Sequence, residues 1–181
     1  MINLIPQLMQ AKSVSPSALE DLSTAAREMD HQTLFLDWYW HMPLATGLTE
    51  LWLATGDCVR AQREAARLLE KALATEERTW QGLAWEINAR VALESRDHAR
   101  ARECIGKALS TVQGFEVPLA TWRAHATAAH IEEEAGNLES ARSHRDSSRA
   151  TILRLANSLP EHEQLRKIFL DAPAVARVLS R

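Results

Sequence analysis

Glycine and proline are scarce, with six of each in 181 residues. That is too few for the closely spaced turns of a β-sandwich or barrel. Valine and isoleucine are also thin at 14 together, against 29 alanines and 24 leucines. The balance favours helix over sheet. The only two cysteines, Cys58 and Cys104, share no CxxC or Cys/His spacing. They fit a reducing compartment, as small buried hydrophobes rather than a disulfide or zinc framework. No apolar run approaches the roughly 18 residues of a membrane span, so no membrane association is expected. The start, MINLIPQLMQAK, lacks the positive n-region and apolar core of a secretory signal, and a cytoplasmic protein is expected. There is no excess of positive charge. The net charge is −3 and the isoelectric point about 6.2, which leaves no electrostatic footprint for nucleic acid. GxxxxGK[ST], GxSxG, HExxH and Gly-rich loops are all missing, so neither an enzyme nor a cofactor is expected. What is present, 46% hydrophobic and 25% charged residues, matches an ordinary soluble globular chain.

The chain repeats itself. LATGDCVRA from Leu53, LESRDHARA from Leu93 and EEAGNLESA from Glu133 start forty residues apart. Asp57, Asp97 and Asn137 fall in register, as do Ala61, Ala101 and Ala141. Gly56 and Gly136 match, with Arg96 in the middle copy. A glycine here ends one helix in the left-handed conformation, and the Asp or Asn after it caps the next. The unit is therefore a helix–turn–helix hairpin, with the Arg96 turn less favourable than the others. Leu44, Leu48 and Leu51 stripe one face of the first helix at i, i+4, i+7. Their counterparts are Ala84, Asn88 and Val91, then Ala124, Ala128 and Ile131. Small residues recur at Thr49, Ala89 and Ala129, suited to close helix contact. Second helices carry Ala65, Leu68, Leu69 and Ala72, then Ile105, Ala108, Leu109 and Val112. The third is more polar, with Arg145, Ser148 and Arg149 before Ile152, Leu155 and Leu159.

The turn signature, the Ala five residues after the glycine and the small residue seven before it resemble the tetratricopeptide repeat, across residues 34–153. The period is forty rather than 34, and most of the usual aromatic positions are replaced. The resemblance implies an all-α, right-handed superhelix of three hairpins at 34–73, 74–113 and 114–153. Residues 1–33 read as a partial repeat, with Ser17 as helix cap. The array then looks cut at Met1, the alternative being a short N-terminal capping helix. Residues 154–181 read as the end of the last repeat helix and a C-terminal cap. Pro160 is placed to open a helix, Leu165, Ile168 and Phe169 form its apolar stripe, and Pro173 interrupts it. The steps Leu155-Ala156-Asn157-Ser158-Leu159, Leu165-Arg166-Lys167-Ile168-Phe169-Leu170 and Pro173-Ala174-Val175 resemble the C-terminal repeat region of large bacterial signalling proteins. Those couple an ATPase module to a nucleotide cyclase, a kinase or a LuxR-type domain, none of which lies in this chain.

The same resemblance places binding on the concave surface formed by first helices. By register this gives Thr46, Glu50 and Leu53, then Glu86, Arg90, Leu93 and Glu94, then Arg123, Ala126, His130, Glu133 and Glu134. Five carboxylates against two arginines make this surface mildly acidic. It suits a protein or peptide partner with basic residues. Glu86, Arg90 and Glu94 are expected as one exposed stripe. The dense cluster Trp38, Tyr39 and Trp40 is a second candidate, a patch where another domain or a second copy docks. His125 and His130 are the only metal-like composition, but at i+5 they lie on different faces, and a solvated polar face is expected instead of a metal site. The function expected is a non-catalytic interaction or regulatory scaffold module. The alternative is a repeat domain that senses a small effector in its groove.

Overall fold

A computed structural model describes residues 37–160 and 163–180, with Glu20, Asp21 and Thr24 before them. The expectations for residues 1–33, including the Ser17 cap, otherwise lie outside the described residues. Eight helices follow in order: α1 (Asp37–Ala54), α2 (Cys58–Leu73), α3 (Arg78–Glu94), α4 (His98–Val112), α5 (Pro118–Glu134), α6 (Leu138–Asn157), α7 (Gln164–Asp171) and α8 (Pro173–Leu179). Among the described residues there is no strand. Consecutive helices pack in pairs, α1 with α2, α3 with α4 and α5 with α6. The chain divides into two units, residues 1–75 and 76–181, which are taken in turn.

The forty-residue period is written into the helix ends. First helices stop at Ala54, Glu94 and Glu134, and second helices start at Cys58, His98 and Leu138. Each joint is closed by the same pair of backbone hydrogen bonds. In the first, Gly56 N–H donates to Leu53 O at 3.1 Å and Asp57 N–H to Trp52 O at 2.9 Å. Arg96 and Asp97 repeat this onto Leu93 and Ala92, and Gly136 and Asn137 onto Glu133 and Glu132. This is the Schellman closure, which requires a left-handed residue after the helix. Gly56 has φ +78° and Gly136 +80°, and Arg96 adopts +62° at the same register, as a strained substitute. Asp57 and Asp97 also cap the next helix, accepting from Arg60 N–H and Arg100 N–H at 3.0 Å each. Asn137 departs from the expected pattern. Its side chain makes no cap bond, and its amide donates to Glu132 Oε2 at 2.7 Å instead.

In the first unit, α1 and α2 bury Met42, Leu48, Leu51 and Trp52 with Ala61, Ala65, Leu68 and Ala72. Thr49, fully buried, satisfies its hydroxyl on Ala45 O. Cys58 is only half-buried at the start of α2, against the expectation of a buried thiol, while Cys104 is fully buried.

In the second unit, α3 packs on α4 and α5, and α5 on α4 and α6. Ala89, Ala92, Leu93, Ala101, Cys104, Ile105, Ala108, Ala124, Ala128 and Ile131 form one core, with Trp85 and Leu109 against it. A second core gathers Trp122 from α5, Ile152 from α6 and Val175 from α8, with Phe169 and Leu170 of α7 packed on it. Pro160 does not open α7; the helix begins at Gln164 after a Glu163 N-cap. Pro173 instead occupies the first turn of α8, where its missing N–H costs nothing.

Candidate functional site

The groove residues of the second unit come from α3 and α5. Glu86 is the clearest correction to the sequence reading. It is buried at 3% exposure, where an exposed stripe was expected. Its Oε1 accepts from Thr127 Oγ1 of α5 at 2.5 Å and lies 3.9 Å from Arg90 Nε. The reason is helical drift. Residues spaced i, i+4, i+8 turn roughly 40° per step at 3.6 residues per turn. Over eight residues the row rotates from the α3/α5 seam, where Glu86 lies, out to solvent at Glu94. Arg90, between them, is half-exposed.

The remaining candidates on this unit gather at the C-terminal ends of α3 and α5. Glu94 is exposed in the last turn of α3, and Glu133 and Glu134 in the last turn of α5. Neither last turn carries a basic residue. Carboxylates there oppose the helix dipole, which favours cations at that end. Glu133 finds its counter-charge on another helix. Arg145 Nη2 of α6 pairs with Glu133 Oε1 at 2.7 Å. His98 Nδ1 at the start of α4 lies 3.8 Å from Glu134 Oε2, and His130 Nε2 lies 3.6 Å from Glu134 Oε1. Arg123, half-buried, holds its guanidinium 5.3 Å from the centre of the Trp122 ring. The structure thus brings His130, Glu133 and Glu134 together and leaves Arg123 on a different turn.

In the first unit, Glu50 is half-buried on α1. Trp38, Tyr39 and Trp40 begin that helix, and their side chains lie outside the described residues. A small half-open cleft runs between α1 and α2. Leu44, Leu48 and Leu68 supply its apolar wall, and Glu64, Arg67 and Lys71 its charged rim.

Sequence reasoning passed over His144. It lies on α6, and its Nδ1 is 2.9 Å from Nδ1 of His125 on α5. Burial, and then the neighbouring His144 ring, hold the His125 imidazole below the ordinary range. Pairing His125 with His130 within one helix hid this contact, which crosses a hairpin. The repeat itself was the available signal, because His125 and His144 fall forty residues after Trp85 and Cys104. Ser148 was likewise read as merely polar. It is fully buried, and its hydroxyl donates to Trp122 O at 2.8 Å.

Among the described residues, no three His, Cys, Asp or Glu side chains are arranged to hold a metal ion. No helix of the described residues is long and apolar enough to cross a membrane. Comparison with protein-family models, with curated proteins and with solved structures finds no match to this chain.

Proposed function

We propose that this chain is a non-catalytic protein-interaction module, built of hairpins of the tetratricopeptide type with the right-handed winding that goes with them. It would act as a regulatory or scaffolding segment of a bacterial signalling protein. The observation that carries the reading is the acidic end of the second unit. Glu94, Glu133 and Glu134 are exposed where the helix dipole is already negative. A basic segment of a partner would relieve that arrangement, since Arg145 reaches only Glu133, and His98 and His130 counter Glu134 only when protonated. The effector-sensing alternative calls for an enclosed apolar pocket with convergent polar groups. The α1/α2 cleft is half-open and rimmed by charge, which favours the interaction reading.

The test is fluorescence anisotropy with Lys/Arg-rich and Asp/Glu-rich peptides of equal length, at two salt concentrations. Binding of the basic peptides should weaken as salt rises, because exposed charges are screened over roughly 8–10 Å. It should be lost in E94K/E133K. Unchanged binding by that double variant would place the surface elsewhere. Preference for the acidic peptides would sink the reading.

A further inference from the structure

Among the differences between the α5/α6 seam and its counterpart, one pair of residues brings two titratable rings into contact. In the α3/α4 hairpin the register positions are Trp85 and Cys104. Cys104 is fully buried, and Trp85 packs against the core that contains it. Forty residues on, the same positions are His125 and His144, with ring centres 5.2 Å apart and the two Nδ1 atoms 2.9 Å apart. An apolar seam has become a titratable one at the same place in the fold.

The contact fixes where protons go. At 2.9 Å the two Nδ1 atoms share one hydrogen bond, so one carries a proton and the other accepts it. A first added proton enters at the Nε2 of the donor ring. The result is an imidazolium donating to a neutral imidazole, a charge-assisted bond that keeps the contact. A second added proton has only the accepting Nδ1 left. Two N–H groups and two positive charges would then face each other at hydrogen-bond distance. We propose that His125 and His144 form a proton-limited joint that holds α5 to α6 with up to one added proton and parts on taking the second.

Many charged groups on the neighbouring helices have contacts of their own. Glu86 and Arg90 of α3 pair with each other, and Arg123 lies against Trp122. His130 and His98 meet Glu134, and Arg145 meets Glu133. On α4, Arg100 and Lys107 both reach Glu103. On α7, Arg166 donates to Asn157, and α8 carries Arg177. The neighbouring ring that disfavours charge on His125 is His144. The joint also has a structural readout. His125 lies one turn after Trp122, and His144 one turn before Ser148, which bonds Trp122 O. Trp122 and Ile152 in turn hold Val175 of α8. Parting of the joint should therefore release α8.

The sign follows from burial. An imidazole held below its ordinary range in the fold binds protons more readily when unfolded. Stability is then complete above about pH 6.5 and lost as pH falls through the folded value. Imidazole NMR should give two linked steps for the pair, the second displaced to more acid pH. Amide exchange at Pro173–Leu179 should accelerate between pH 7.5 and 5. H125W/H144C, which carries the middle hairpin's own pair into the last one, should remove that acceleration. His144→Asn should reduce it to the part that burial of His125 alone contributes, and serves if the double variant does not fold. Independent titration of the two rings, or acid-accelerated exchange undiminished in a folded variant, would overturn the proposal.

Discussion

At the scale of single residues, the three joints make an internal experiment. Gly56, Arg96 and Gly136 share one backbone conformation, so sequence and strain can be compared at a fixed geometry. A side chain added at Gly56 would meet nothing within 4 Å, which isolates the cost to the backbone. Gly56→Val should destabilise by about 1–2 kcal/mol. Arg96→Gly should act in the opposite sense, stabilising by up to ~1 kcal/mol after the entropy glycine adds to the unfolded chain. Urea midpoints of the two variants against wild type decide this; equal midpoints would remove strain from the account. Gly82 is a glycine of another kind. A Cβ there would stand 2.7 Å from Val112 Cγ1 and 3.1 Å from Ala120 Cβ. Gly82→Ala should cost about 1–3 kcal/mol as overpacking in thermal or urea unfolding, despite alanine's better helix propensity.

At the scale of the helix, α3 carries two carboxylates with opposite fates. Glu86→Lys places a cation at the buried α3/α5 seam and removes the acceptor of Thr127, so it should lower stability by about 3–5 kcal/mol. Glu94→Lys changes an exposed residue and should stay within about 0.5 kcal/mol. Circular dichroism melts of the two variants test this directly, and similar losses would mean that Glu86 is solvated in solution. This helix also marks the limit of the sequence. The turns, the Asp57 and Asp97 caps and the small buried residues at Thr49, Ala89 and Ala129 were legible because each answers to local rules. The fate of Glu86 was not, because it depends on where α5 lies, a non-local fact. His125 escaped for the same reason, since its partner sits nineteen residues away across a hairpin.

At the scale of the whole molecule, the second unit ends differently from the way it continues. Gly82 leaves room for the start of α5, while its counterpart forty residues later is Trp122, packed with Val175 of α8. The bulky ring fills the space that another hairpin's first helix takes in the preceding repeat. Trp122→Ala should therefore cost about 3–5 kcal/mol and free α8 before it disturbs α3 and α4. Hydrogen exchange should show fast exchange at Pro173–Leu179 with Arg78–Val112 still protected; uniform loss of protection would mean that α8 is integral to the core. The terminal helices α7 and α8 are short and keep Leu165 and Ile168 at 61% and 57% exposure, so in wild type as well they should open at lower free energy than α3–α6.

The tight joints also determine where the gene can be edited. Asp57 belongs at once to the closure of α1 and the cap of α2, and Asp97 does the same for α3 and α4. A codon inserted between positions 54 and 58, or between 94 and 98, has no slack to occupy and would rotate everything after it relative to everything before. The connection at 113–117 is another matter. Gln113, Gly114, Phe115 and Glu116 are all exposed, so a linker, tag or split point placed there should be tolerated better than one at either tight joint.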